Sequence, residues 1–99
     1  MNIAPQIAAL ANSSRLAIIR WLKEPRSHFP EQEHADIEKV GVCCTYLTEK
    51  LGFAPATTTR HMKILADAGL VRAQRIGKFT YYKRVDRAIQ NLARKLNDL

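Results

Sequence analysis

Ninety-nine residues suit one small domain, and an apolar share of 46% with only four glycines and four prolines suits a packed chain and not a disordered one. No apolar run approaches the roughly 20 residues that span a bilayer, so a membrane partner is not expected. The net charge of +7 is unevenly placed. Residues 1–54 hold Arg15, Arg20, Lys23, Arg26, Lys39 and Lys50 against six acids, while residues 55–99 hold the other ten Lys/Arg against Asp67, Asp86 and Asp98. That asymmetry points to a polyanionic partner, nucleic acid ahead of an acidic protein.

In chain order, Ile3, Ile7 and Leu10 recur at helical spacing among alanines, which predicts a first helix over residues 1–11. The start lacks the basic n-region of a secretory signal, and two adjacent cysteines make no disulfide framework, so a reducing cytoplasm is expected. Asn12 or Ser13 caps a second helix that shows Leu16, Ile19 and Leu22 on one face. From Glu24 to Glu38 the chain is polar and acidic, bracketed by Pro25 and Pro30. It reads as a loop of about 15 residues, either a solvated insertion or an ion or ligand site.

Val40 and Val42 suggest a short strand leading into a third helix, Cys44 to Leu51, which Gly52 stops. A fourth helix opens at Pro55 and runs to about Ala68. Then the period changes. Residues 70–76 and 79–84 read as strands joined by the two-residue turn Gly77-Lys78. Asp86 is placed to cap a last helix over 86–98, along which Val85, Ile89, Leu92, Leu96 and Leu99 step by four and three. The expected fold is mainly α with a small β-hairpin: one winged helix-turn-helix domain over residues 1–99.

The fourth helix carries Thr57, Thr58 and Thr59, three β-branched residues that are poor formers of a helix interior. On a helical wheel Thr58, His61, Met62 and Leu65 share an inward face. Ala56, Thr59, Arg60 and Lys63 share the opposite one, with Pro55 and Thr57 at its N-terminal edge. Short and hydroxylic residues near the N-terminus, followed by cations, suit a helix that enters a DNA major groove. A bland alternative is that the threonines only cap the helix. In the hairpin, Arg72, Arg75, Lys78, Lys83 and Arg84 supply charge, with Lys78 at the tip and Arg75 beside it reaching an adjacent groove or its phosphates. Phe79, Tyr81 and Tyr82 are expected to pack the hairpin on the domain, and His61 to be a half-buried structural residue. No Gly-rich phosphate loop, paired carboxylates or nucleophile–base spacing suggests an enzyme. A winged helix that binds an acidic protein remains the rival to DNA binding.

The stretch from Leu47 through T-E-K-L-G-F-A-P-A-T-T-T-R-H-M-K-I-L-A-D-A-G-L-V to the hairpin resembles the ArsR/SmtB family of dimeric winged-helix repressors, as does A-N-S-S-R-L-A-I-I-R-W-L earlier. The resemblance implies a homodimer built from the terminal helices, with Ile3, Ile7, Leu10, Ile89, Leu92 and Leu96 at the interface. It also implies a palindromic operator whose half-sites lie roughly 34 Å apart, and release on an unidentified small-molecule or metal signal. Two departures stand out. Ala54-Pro55 replace the family's Ser-Gln, and the last helix contains no His, so that family zinc site is absent. The family's Cys-x-Cys site is only partly matched by Cys43-Cys44-Thr45. Three readings of the pair stay open: buried small residues, a redox-sensing thiol, or a soft-metal or arsenical site completed by His34, His28 or the other subunit.

Overall fold

The computed structural model describes residues 2–99, and the expected helical character of Met1 lies outside them. Five helices and a three-stranded sheet follow in the order α1 (Ala4–Leu10), α2 (Ser13–Lys23), β1 (Val42–Cys43), α3 (Cys44–Leu51), α4 (Pro55–Asp67), β2 (Val71–Ile76), β3 (Phe79–Arg84) and α5 (Asp86–Asn97).

Pro5 sits in the first turn of α1, where its missing N–H goes unmissed. Of the two candidate caps for α2, Asn12 does the work: its Oδ1 accepts the Arg15 N–H at 3.0 Å. The buried arc of α2 is Ile18, Ile19 and Leu22, and Leu16 stays 39% exposed. At 100° per residue the centre of that arc falls at Arg15, and Leu16 lies beyond its edge. The expected Leu16–Ile19–Leu22 stripe is therefore rotated.

The segment between α2 and β1 is more ordered than a solvated loop. A single 3-10 turn spans Pro25–Ser27, and Phe29 and Ile37 are both buried in the core. Trp21 meets Phe29 edge-on at 6.1 Å between centroids. Asp36 Oδ1 accepts the N–H groups of Glu38 and Lys39, each at 2.9 Å. Val40 closes that turn through its N–H to the Asp36 carbonyl at 2.9 Å. Its N–H is thus spent on a turn, so Val40 is no strand residue and β1 begins only at Val42.

The sheet is antiparallel in the order β1-β3-β2. Val42 faces Tyr82 and Cys43 faces Tyr81, while Ile76 opposite Phe79 leaves Gly77-Lys78 as a two-residue turn. Gly41 is forced by close approach. Its φ is +120°, and a Cβ there would lie 2.3 Å from the Tyr82 carbonyl oxygen. Ile18, Ile37, Val42, Leu47, Met62, Leu65 and Leu70 form the innermost core, drawn from every layer.

α5 corrects another expectation. Val85, and not Asp86, occupies the cap position, and no side chain caps the helix. Asp86 already lies in the first turn, where its charge suits the helix dipole and its Oδ1 stands 3.1 Å from Arg84 Nε.

Candidate nucleic-acid interface

α3 and α4 are joined by Gly52-Phe53-Ala54, and the Gly52 N–H reaches the Thr48 carbonyl at 2.9 Å in a left-handed helix stop. Ala54 gives α4 no side-chain cap. Pro55 compensates by removing one first-turn donor altogether, and the Ala54 carbonyl takes the Thr57 and Thr58 N–H groups at 3.0 and 3.2 Å. What is left is a bare, exposed helix N-terminus of the kind that attracts phosphate.

The three threonines separate as their wheel positions require. Thr58 is fully buried beside Met62 and Leu65, whereas Thr57 and Thr59 are exposed. Ala56, Arg60 and Lys63 are exposed on the outer side as well. Thr59 Oγ1 donates to the Pro55 carbonyl at 3.0 Å. With its only hydroxyl proton engaged, Thr59 offers an outside group an acceptor lone pair and a methyl. Lys63 pairs with Asp67 at 3.1 Å, both largely solvent-exposed, so that pair adds little stability.

In the wing, Arg75 and Lys78 are exposed. Arg75 Nε donates to the Gly77 carbonyl at 3.2 Å, and Lys78 Nζ lies 5.7 Å over the Phe79 ring. Arg84 does not belong with them. It is 12% exposed, its Nη1 donates to the Ile19 carbonyl at 3.3 Å, and it ties β3 to α2. Its Nε stands close to Asp86 without the alignment of a hydrogen bond. Of the hairpin aromatics, Tyr81 and Tyr82 are buried in the domain as expected, whereas Phe79 is only half-buried, against His34 and Lys78. A groove of about 400 Å³ separates α4 from the wing, with Cys44, Thr59, Arg75 and Lys78 on its walls.

Beneath the outer face lies a contact that sequence reasoning missed. Arg15 Nε donates to the Ala9 carbonyl at 2.6 Å, and its Nη1 meets His61 Nδ1 at 3.0 Å. A guanidinium has only donors, so His61 must accept at Nδ1 and be neutral, with its proton on Nε2. Burial first, then the charges of Arg15 and Arg60, hold the His61 pKa below its ordinary 6.5. One side chain thus ties α1, α2 and the outward-facing helix together. His61 also lies against Phe53, with centroids 5.7 Å apart. The partners are 46 residues apart, so no local pattern announces them.

Of the candidate effector residues, His34 and Cys43 line one pocket, between the 31–34 stretch, the start of α3 and β3. Cys43 is buried and Cys44 half-buried, both as free thiols. Burial pushes the Cys44 thiol pKa up. His34 is exposed, with its ring nearly parallel to Phe79 at 6.4 Å. Among the described residues, no three His, Cys, Asp or Glu side chains are gathered to hold a metal ion. Of the dimer candidates, Ile7 and Leu96 are each 42% exposed and Leu99 is 91% exposed, but Leu92 is already buried by its own chain. Ile3, Leu10 and Ile89 are intermediate.

No family model matches the chain. A regulator of Bacillus subtilis, the uncharacterized HTH-type transcriptional regulator YbzH, is 49% identical over 85 residues, which cover 86% of this chain and 85% of that one. An ArsR family transcriptional regulator of known structure, RHA00566, superposes with a TM-score of 0.75 at 16% identity, over 97% of this chain and 89% of the other. This chain belongs with the HTH-type transcriptional regulators, and it has the fold of the ArsR family structure. It is a DNA-binding regulator and not an enzyme. Two further solved structures are similar to it. One is the AntR antimony-specific transcriptional repressor, with 27% identity, a TM-score of 0.60, and 91% of this chain and 69% of that one covered. The other is the cadmium metal-sensor CMTR of Mycobacterium tuberculosis, with 26% identity, a TM-score of 0.56, and 99% and 82% covered.

Proposed function

We propose that this chain is a cytoplasmic repressor of the ArsR family that binds a palindromic operator as a homodimer and releases it on a signal. One observation carries the reading: five of the seven exposed Lys/Arg of residues 55–99, Arg60, Lys63, Arg72, Arg75 and Lys78, lie on one outer helix and the wing beside it. In this reading Ala56, Thr57 and Thr59 approach base edges in the major groove. Arg60 and Lys63 meet phosphates, and Arg75 and Lys78 take the adjacent groove. Arg15 holds the reading helix against α1, whose exposed Ile7, with Leu96 and Leu99 of α5, offers the surface for a second copy.

The test is fluorescence anisotropy of the dimer on its own promoter DNA across a salt series. Affinity is expected to fall steeply with salt, and Arg60→Ala or Lys78→Ala to weaken binding and flatten that slope. Unchanged affinity in both variants would sink the docking arrangement.

A second reading concerns the signal. The structurally similar regulators described as antimony- and cadmium-responsive favour a soft ion or arsenical at Cys43 and Cys44, completed by a ligand from a second subunit. Titrating the DNA complex with arsenite, antimonite and cadmium, for the wild type and for Cys43→Ser, measures it. DNA release unaffected by Cys43→Ser would end that reading.

A further inference from the structure

A second pocket, distinct from the groove beside α4, lies between the 31–34 stretch, the start of α3 and β3. It is about 300 Å³ in volume, at the lower end for small-ligand sites. Its walls include the rings of Tyr46, Phe79 and Tyr81, the imidazole of His34, and Glu31 and Glu33. In a chain of net charge +7, no lysine or arginine lines it. The groove beside it shares the Phe79 ring but carries Arg75 and Lys78.

The pocket wall is built, not draped. The Gln32 amide acts as a short clasp to β1: Nε2 donates to the carbonyls of Gly41 at 2.8 Å and Ala35 at 3.1 Å, and Oε1 accepts the Cys43 N–H at 2.7 Å. Tyr46 Oη donates to the Glu31 carbonyl at 3.3 Å. Burial pushes the Tyr81 phenol pKa above its ordinary value. An anion entering here meets the carboxylate of Glu33 and the rings of Tyr46, Phe79 and Tyr81, while the Glu31 carboxylate is paired with Arg26. A bare metal ion finds no triad of ligands among the described residues. A cation that also carries alkyl surface is matched on both counts, since aromatic faces attract cations and bury methyl groups.

We propose that this pocket is the effector site of the regulator and that it takes a small organic cation, an alkylated ammonium group seated against Phe79, Tyr81 and Tyr46 under the carboxylate of Glu33. The effector role rests on the repressor reading above; the binding itself does not. Phe79 supplies the link to DNA. Its ring already holds the Lys78 ammonium at 5.7 Å. A second cation on that ring repels Lys78 and shifts the wing-tip charge that faces DNA.

The test is calorimetric titration of the DNA-free protein with choline and with its neutral carbon isostere, 3,3-dimethylbutan-1-ol. Choline is expected to saturate, with the isostere about tenfold weaker. Glu33→Gln, an exposed change that leaves the fold intact, is expected to weaken choline about twofold, and Phe79→Leu about tenfold. Equal binding of the two probes, or no saturable heat with choline in the folded protein, overturns the site. Should Phe79→Leu fail to fold, the isostere comparison and Glu33→Gln still decide. Saturating choline should also lower DNA affinity at least threefold; choline binding with unchanged DNA affinity overturns the effector role. Failure of the repressor reading would show separately, in the choline-free anisotropy control.

Discussion

In the wing, Arg72, Arg75 and Lys78 stand exposed with no ion pair among the described residues, whereas in the segment before β1 a single Arg26 is ringed by Glu31, Asp36 and Glu38. The two regions are of similar size and both connect helices, yet they spend charge in opposite ways. The wing backbone is held by a two-stranded ladder, so its side chains are left over for a partner. The 24–41 segment has no ladder. Buried Phe29 and Ile37, the Gln32 clasp and the Arg26 cluster hold it. Charge that is neutralised internally is structural; charge left free is an advertisement to a polyanion.

The largest effect expected from breaking this contrast is at Gly41, where the segment meets the sheet. Gly41→Ala places a methyl against the Tyr82 carbonyl at a φ of +120°. It should cost about 3 kcal/mol in urea unfolding, from the strained backbone and the clash together. Gly77→Ala at the wing turn shares the positive φ but meets open space, so about 1 kcal/mol is expected. Equal losses at the two sites would mean that the sheet gives way at Tyr82.

Charge removal should sharpen the comparison next. Lys78→Ala and Arg60→Ala should each weaken DNA binding by about 1 kcal/mol and reduce the logarithmic salt slope by about one. Arg26→Ala should leave DNA binding unchanged and lower stability modestly, because three carboxylates lose their shared partner. A DNA-affinity loss from Arg26→Ala as large as that from Lys78→Ala would erase the distinction between the two regions.

Acid should act first at His61 on α4 and only later on the 24–41 segment. His61 has its folded pKa below 6.5. Between that folded value and 6.5 the unfolded chain binds more protons than the folded one. Stability therefore rises with pH through this window and is lost as pH falls below 6.5. Asp36 is held below 3.8 by N–H bonds from Lys39 and then Glu38. Its contribution is present above 3.8 and lost only as pH falls further. Urea midpoints measured from pH 8 to pH 3 should decline in two stages. His61→Gln, which still accepts from Arg15 but does not titrate, should remove the first, and Asp36→Asn the second. A first stage that survives His61→Gln would show that another group carries it.

How much of this was readable in the sequence follows from range. The outer and inner faces of α4, the hairpin and its turn, and the stop at Gly52 are written in spacings of two to four residues, and all are found as expected. The errors lie where a distant partner decides. Leu16 lost its place in the stripe because Arg15 sits at the centre of the buried arc, bonded to His61 across the domain. Arg84 looked like wing charge until the Ile19 carbonyl claimed it. Val40 looked like strand until the Asp36 turn took its N–H. Phe29 and Ile37 are lone apolar residues in a polar stretch. They have no period, so nothing local marks them as core.

The last contrast lies within the threonine run, where one residue type has two fates on one helix. Thr58 is fully buried and its Oγ1 has no hydrogen-bond partner. A buried, unpaired hydroxyl is a liability that a methyl of similar shape removes, so Thr58→Val should stabilise the fold by about 1 kcal/mol. Helix propensity hardly changes between the two residues, and DNA affinity should not move because position 58 faces the core. Thr59→Val is the contrasting case. Its hydroxyl is bonded back to the exposed Pro55 carbonyl, so stability should change little, while any base contact that uses its acceptor lone pair is lost. Denaturant midpoints and anisotropy on the same pair of variants separate these outcomes. A destabilised Thr58→Val would mean that the buried hydroxyl turns to a partner such as the Ala54 carbonyl, four residues back. In that case the inner face of α4 would be held by a hydrogen bond as well as by packing.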